Sequence, residues 1–319
     1  MTRQIEWDFY IPPDATISTA GVIADPTDAY SFHDNAQKAL MSFSGWGMPG
    51  IDWVTQKGPF QHGVTVLDYR LTPRIVQLVH RRTGGCRDDY WDHRLELINS
   101  IRPNRSASGS FERGRLRKII SDGTVRDLYV VLEKGPAFNG RGRDWDEWAI
   151  DETIRFIAHD PIIFNPSQSS ATWGVLTSTN ELIFPITFPI LFGVDGLINQ
   201  DLNVTYDGNW LTYPTITITG PLSMPEIYNV STDEEIKINY IIPSGSSIVI
   251  DLNYGIKTVV ENGVTNRIGV VSSDSDLATF HIAPDPEITG GVNTLRVIGT
   301  QATVSTSVAV TWFDKYIGI

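Results

Sequence analysis

Apolar and polar residues alternate in short runs along nearly the whole chain, and glycine, proline, asparagine and aspartate fall between the runs. That pattern belongs to strands half buried on one face and joined by turns. Ile5-Glu6-Trp7-Asp8-Phe9-Tyr10-Ile11 alternates and stops at Pro12-Pro13, which predicts a first strand and its end. Val64–Leu71 and Arg74–His80 predict two more, broken by Pro73. Before them come Gly45-Trp46-Gly47-Met48-Pro49-Gly50 and Gln56-Lys57-Gly58-Pro59-Phe60-Gln61-His62-Gly63. A phosphate-cradling loop needs its glycines between a strand and a following helix. These glycines precede strands, so they predict turns.

The period changes once. From Asp88, an N-cap residue type, to Ile101 ahead of Pro103, the spacing predicts a helix with Trp91, Leu95 and Ile98 at i, i+4 and i+7 on one face. Core packing and a subunit contact would both use that stripe. Next, Arg115–Ile120 and Val125–Leu132 flank Asp122-Gly123, whose Asp-Gly pair supplies the positive φ of a tight hairpin turn. Its charged flanks predict that the hairpin projects from its domain and pairs with a neighbouring subunit's sheet edge. Asn165-Pro166-Ser167-Gln168-Ser169-Ser170 has the composition of a linker, which sets expected domains at 1–165 and 166–319.

In the second half, short alternating runs recur with turns between them, the pattern of an all-β sandwich. Expected strands are Leu182–Ile190, Leu202–Tyr206, Thr215–Thr219, Glu226–Val230, Glu235–Ile241, Ser247–Asp251, Lys257–Glu261, Thr279–Ile282, Asn293–Ile298 and Ser307–Thr311. Thr215-Ile216-Thr217-Ile218-Thr219 is the plainest, with hydroxyls on one face and isoleucines on the other.

At 319 residues, 41% hydrophobic and 19% charged, the chain suits two globular domains rather than a disordered or fibrous class. No apolar run is long enough for a spanning helix, and the first residues lack the apolar centre of a signal peptide, so no membrane insertion and synthesis in the cytoplasm are expected. The net charge of −12 is uneven: residues 70–155 hold 17 Lys+Arg against 13 Asp+Glu, while the rest holds 8 against 24. Such an acidic chain does not grip duplex DNA through its phosphates, although it can line a passage that DNA crosses without sticking. In the basic middle the signs alternate residue by residue, which suits a protein interface or a solvated face.

Candidate chemistry is sparse. Cys86 is the single cysteine, so there is no disulfide framework; a reactive thiol at a helix start and a packed or solvent-side cysteine are its two readings. His33, His62, His80, His93, His159 and His281 stand singly, without metal-ligand spacing. Asp144, Asp146 and Glu147 lie among aromatics, as a glycosidase pair would, or as solvated charge would. Asp274, Asp276, Asp285 and Glu287 are calcium-ligand types without the spacing of a calcium loop. Trp173, Trp210 and Trp312 show no sugar-stacking cluster. No cofactor, metal or catalytic group is expected.

The order of motifs carries more. "YPTITITGPLSMPEIYN" at 213–229, "IVIDLNYGIKTVVENG" at 248–263, Asp274-Ser275 and "GGVNTLRV" at 290–297 resemble the C-terminal domain of siphovirus distal tail (Dit) proteins. "MPGIDWVTQKGPFQHGVTVLDYRLTPRIVQL" at 48–78, the helix with Tyr90-Trp91, the Asp122-Gly123 hairpin and "FIAHDPIIFNP" at 156–166 follow in the matching order. The resemblance implies a mainly β protein: a β-sandwich-like N-terminal domain with one helix and a projecting hairpin, then a galectin-like β-sandwich. It further implies a homo-hexameric ring in the virion tail tip, joining the tail tube protein to hub or tail-associated proteins and to receptor-binding proteins or fibres, with genomic DNA only in transit. Carried over by position, the interface residues are Trp91, Leu95, Ile98 and Ile101 on the helix and Val125, Leu128 and Val130 on the hairpin. The alternative is a lectin-like module that binds cell-surface carbohydrate. Extra sequence around 17–40 and 166–200, relative to the shortest family members, is assigned no contact.

Overall fold

The computed structural model describes residues 7–12, 29–32, 38–84, 86–103, 113–120, 122–138, 149–174 and 196–319. The expected strand Leu182–Ile190 and the acids Asp144, Asp146 and Glu147 lie outside them. The chain divides into two compact units: Met1–Ser167 with Lys315–Ile319, and Gln168–Asp314.

Unit 1 is built from β1 (Trp7–Ile11), β2 (Tyr30–Ser31), β3 (Lys38–Ser44), β4 (Ile51–Gln56), β5 (Thr65–Leu71), β6 (Arg74–Thr83), α1 (Arg87–Ile101), β7 (Gly114–Ile119), β8 (Val125–Lys134), β9 (Ala149–Ala158) and the start of β10 (Ile163–Gly174). Its strands pair antiparallel. β3, β6, β9 and β8 form one run, and β8 continues through β7 and β1 to β2. Along β6 every second residue is buried, which turns Val76, Leu78, His80 and Arg82 to one face. Tyr10, Phe32, Leu116, Leu128, Val130, Ile154 and Phe156 pack with Val76 and Leu78, and α1 contributes Leu97 and Ile101 to the same core.

Two expectations change here. The hairpin Arg115–Leu132 does not project: β7 is paired on both sides, by β1 and β8, and β8 also pairs β9. Its charged look comes from Arg117, which is buried against the fully buried Asp127 through bonds of 2.7 and 2.8 Å. The linker composition at Asn165–Ser170 forms part of β10. Ile163 fastens one end of that strand in the first core and Trp173 the other in the second, and the polar residues between them alternate on an extended backbone.

Unit 2 continues with β11 (Ile198–Thr205), β12 (Thr215–Thr219), β13 (Leu222–Asn229), β14 (Glu234–Lys237), β15 (Ile241–Ile242), β16 (Ser247–Asp251), β17 (Thr258–Glu261), β18 (Thr265–Asn266), β19 (Val292–Thr300) and β20 (Ser307–Tyr316). One sheet runs β11-β19-β13-β14 with β15 also on β13; facing it, β18, β17, β16, β12 and β20 pair in that order. Ile216, Ile218, Ile248, Ile250, Val308 and Val310 meet Ile227, Leu295 and Val297 in the core between them. This is the sandwich the alternation predicts. Thr279–Ile282, an expected strand, forms only an isolated bridge from Ile282 to Thr212. Side chains replace the missing ladder: Asn229 donates to the His281 carbonyl at 2.8 Å, and the fully buried Asn293 both donates to and accepts from the Ala283 backbone.

Candidate assembly surface

Helix α1 starts at Cys86, whose Sγ accepts the Asp89 N–H at 3.5 Å, while Asp88 and Asp89 meet the positive end of the helix dipole. The lone cysteine is thus an exposed N-cap. Tyr90, Leu97 and Ile101 are buried. Glu96 accepts from Lys38 at 2.8 Å and from Arg82 at 3.0 Å, tying the helix to β3 and β6. Partial burial pushes the Glu96 carboxyl up, but those two cations more than offset it and hold it below its ordinary value. With the helix fixed in this rotation, Trp91, Leu95 and Ile98 point outward at 45%, 57% and 43% exposure. The Arg94 guanidinium, 4.4 Å from the Trp91 ring and 3.9 Å from the Phe138 ring, braces the indole.

The interface residues carried over from the resemblance therefore separate. Trp91, Leu95 and Ile98 form an exposed stripe; Ile101, Leu128 and Val130 are core residues with no surface to offer, and Val125 is half-buried at the start of β8. Sequence reading placed the projecting element on the wrong hairpin. Among the described residues β4 and β5 pair only with each other, and from Asp52 to Arg70 nearly every residue is exposed. Register puts Ile51, Trp53, Tyr69 and Leu71 on one face of this arm, with the Trp53 and Tyr69 rings 5.9 Å apart, and Asp52 and Arg70 on the other. The available signal was the aromatic and β-branched run at Ile51–Val54 opposite Val64–Tyr69, two strands that their own loop joins.

The arm is ordered at both ends. At the tip, Gln61 accepts the Gly58 N–H at 2.9 Å and donates to Thr65 at 2.8 Å, presenting a fully exposed Phe60 at φ 64°. At the root, the buried Arg74 donates to the carbonyls of Gly45, Gly47, Pro161 and Ile317. Gly45 has φ +101°, and a Cβ there would collide with the Ile75 carbonyl, so this turn requires glycine.

The remaining candidate chemistry is dispersed. Among the described residues no group of three or more His, Cys, Asp or Glu is placed to hold a metal ion. Asp276 accepts the Glu235 N–H, Asp285 accepts the Gly290 N–H, and Glu287 meets His281. Trp173 and Trp312 are core residues of unit 2. No described helix is long and apolar enough to cross a membrane.

A two-unit antiparallel β protein with an apolar arm and stripe exposed on unit 1 is the class this geometry defines. Residues 207–316 match the family model for the siphovirus-type tail component, C-terminal domain (SPP1 Dit). Among solved structures, the SPP1 phage Dit protein, described as a paradigm of the hub adsorption apparatus in phages infecting Gram-positive bacteria, is similar with a TM-score of 0.57 and 14% identity, over 87% of this chain and 93% of that one. The phage p2 baseplate in its activated conformation with strontium aligns with a TM-score of 0.47 and 9% identity, over 96% and 97%. No curated protein sequence matches the chain.

Proposed function

We propose that the chain is a structural adaptor of the phage tail tip, six copies of which close into a ring that joins the tail tube protein to hub, fibre or receptor-binding proteins and leaves a lumen for DNA. The observation that carries this is the exposure of large apolar side chains on both the α1 stripe (Trp91, Leu95, Ile98) and the arm (Trp53, Tyr69), the kind of surface that marks an interaction site. The stripe and the arm are different surfaces, as a head-to-tail contact that closes into a ring needs. Unit 2, a galectin-like sandwich in this reading, serves as the outward docking domain, and the protein acts without catalysis.

Mass measurement in dilute solution tests it. The expected species is a six-fold multiple of the 35.5 kDa chain with a central hole in particle images. Leu95→Asp with Ile98→Asp is expected to leave monomers that melt like the parent, because both side chains are exposed. Rings that form unchanged in that variant would remove the helix stripe from the interface.

A further inference from the structure

The outer face of the β11-β19-β13-β14 sheet holds an arrangement that the adaptor reading does not use. Asp201, Arg296, Tyr228 and Glu235 stand in one row across the four strands. Arg296 grips Asp201 side-on, with Nε to Oδ1 at 2.6 Å and Nη2 to Oδ2 at 2.9 Å. Tyr228 donates to Glu226 at 2.8 Å, and Lys237, bound to Glu235 at 2.8 Å, lies 5.6 Å from the Tyr228 ring. Beside the row a pocket of about 630 Å³ opens, lined by Tyr228, Arg296 and Ile298 and by the acids Asp233, Glu234, Glu235 and Asp276.

Part of the charge in and beside this pocket is paired. Asp201 holds Arg296, Glu235 holds Lys237, and Glu234 holds His281 at 3.0 Å. A ligand that hydrogen-bonds without carrying charge leaves all three pairs in place. Each paired carboxylate keeps lone pairs, and Arg296 keeps the two N–H groups of Nη1, so donors and acceptors alternate along the row. Because the pairs fix one another, little side-chain freedom remains to be lost on binding. Vicinal hydroxyls that donate and accept at once, on a ring with an apolar C–H face to lay on Tyr228, match this pattern.

We propose that the pocket binds a neutral hexopyranose unit, stacked on Tyr228, with Arg296 donating to its hydroxyls and Glu235 and Asp276 accepting from them. Saturation-transfer NMR on the full chain tests it, using the methyl pyranosides of glucose, galactose, mannose, rhamnose and N-acetylglucosamine at about 10 mM, which reaches complexes weaker than millimolar. At least one sugar is expected to receive saturation. Tyr228→Leu and Arg296→Ala are expected to cut the signal about tenfold at unchanged melting temperature, while Val264→Ser, at an exposed turn of the other sheet, keeps it. Silence from every sugar, or transfer that survives both pocket variants, overturns the proposal. Ring formation by Tyr228→Leu, read from mass, reports on the adaptor function separately.

Discussion

His281 lies between two carboxylates, with Nδ1 3.0 Å from Glu234 and Nε2 3.1 Å from Glu287. Burial disfavours its charge, but the bonds to Glu234, the Thr279 carbonyl and Glu287 override that and push its pKa up to about 9. His80 is the reverse case. Fully buried, beside Arg82 and within 3.1 Å of the Tyr30 hydroxyl, it is driven down from 6.5 to about 3, first by burial and then by the Arg82 charge. The signs follow from linkage. The stabilisation from His281 is complete below pH 6.5 and drains as pH rises through about 9. That from His80 is complete above pH 6.5 and drains as pH falls towards about 3. Calorimetry against pH should therefore show unit 2 weakening on the alkaline side and unit 1 on the acid side. His281→Gln should flatten the alkaline slope, and a slope unchanged in that variant would refute the assignment. Neither histidine was legible as a titrating group in the sequence, since Tyr30 is 50 positions from His80 and Glu234 is 47 from His281.

Among the elements, alternation revealed where strands lie but not which strands meet. Thr215–Thr219 could be read outright, because its isoleucines and threonines divide between core and surface. Gly114–Ile119 and Val125–Lys134 misled, because a buried Arg117–Asp127 pair writes a core hairpin in charged letters. Helix α1 was legible as a helix, yet its rotation was not: Trp91, Leu95 and Ile98 are more apolar than the mixed face of Tyr90, Arg94, Leu97 and Ile101 that packs inward. Asp127→Ala removes the buried carboxylate that takes two bonds from the buried Arg117 and should cost about 3–5 kcal/mol in chemical denaturation, far more than an exposed charge would. Trp53→Ala with Tyr69→Ala in the arm should stay within about 1 kcal/mol of the parent in the same assay, since both rings are exposed, while reducing ring yield in mass measurements. A large stability loss there would mean that the arm packs on its own unit.

The whole molecule is built discontinuously. Unit 1 includes Lys315–Ile319, so the chain leaves it within β10 and rejoins it at the end of β20. Little in the sequence signals that return: the Tyr316 ring packs on the first core, 3.9 Å from the Arg126 guanidinium, but it is one aromatic among many, and the other contacts are made by backbone groups that every residue carries. The Ile317 carbonyl takes a 2.7 Å bond from Arg74, and Ile319 N–H meets the Trp46 carbonyl at 3.1 Å. A fragment spanning Gln168–Asp314 should melt cooperatively by itself, as its core is complete within those bounds. The complementary piece ending at Ser167 should lose several degrees of melting temperature relative to unit 1 in the full chain, and regain them when a peptide of residues 315–319 is added. Equal melting of the two forms would show that the return segment contributes nothing.

Arg74 spans 243 positions to reach Ile317, and that separation sets an order of events during synthesis. A ribosome delivers the arm early and residue 317 hundreds of residues later, so a nascent chain carries its most adhesive surface before the root can be fully locked. That last bond closes only after all of unit 2 has been made. Copies still being made can hold the arm's root through the Gly45, Gly47 and Pro161 carbonyls, and the last bond is added only in chains whose translation has passed residue 317.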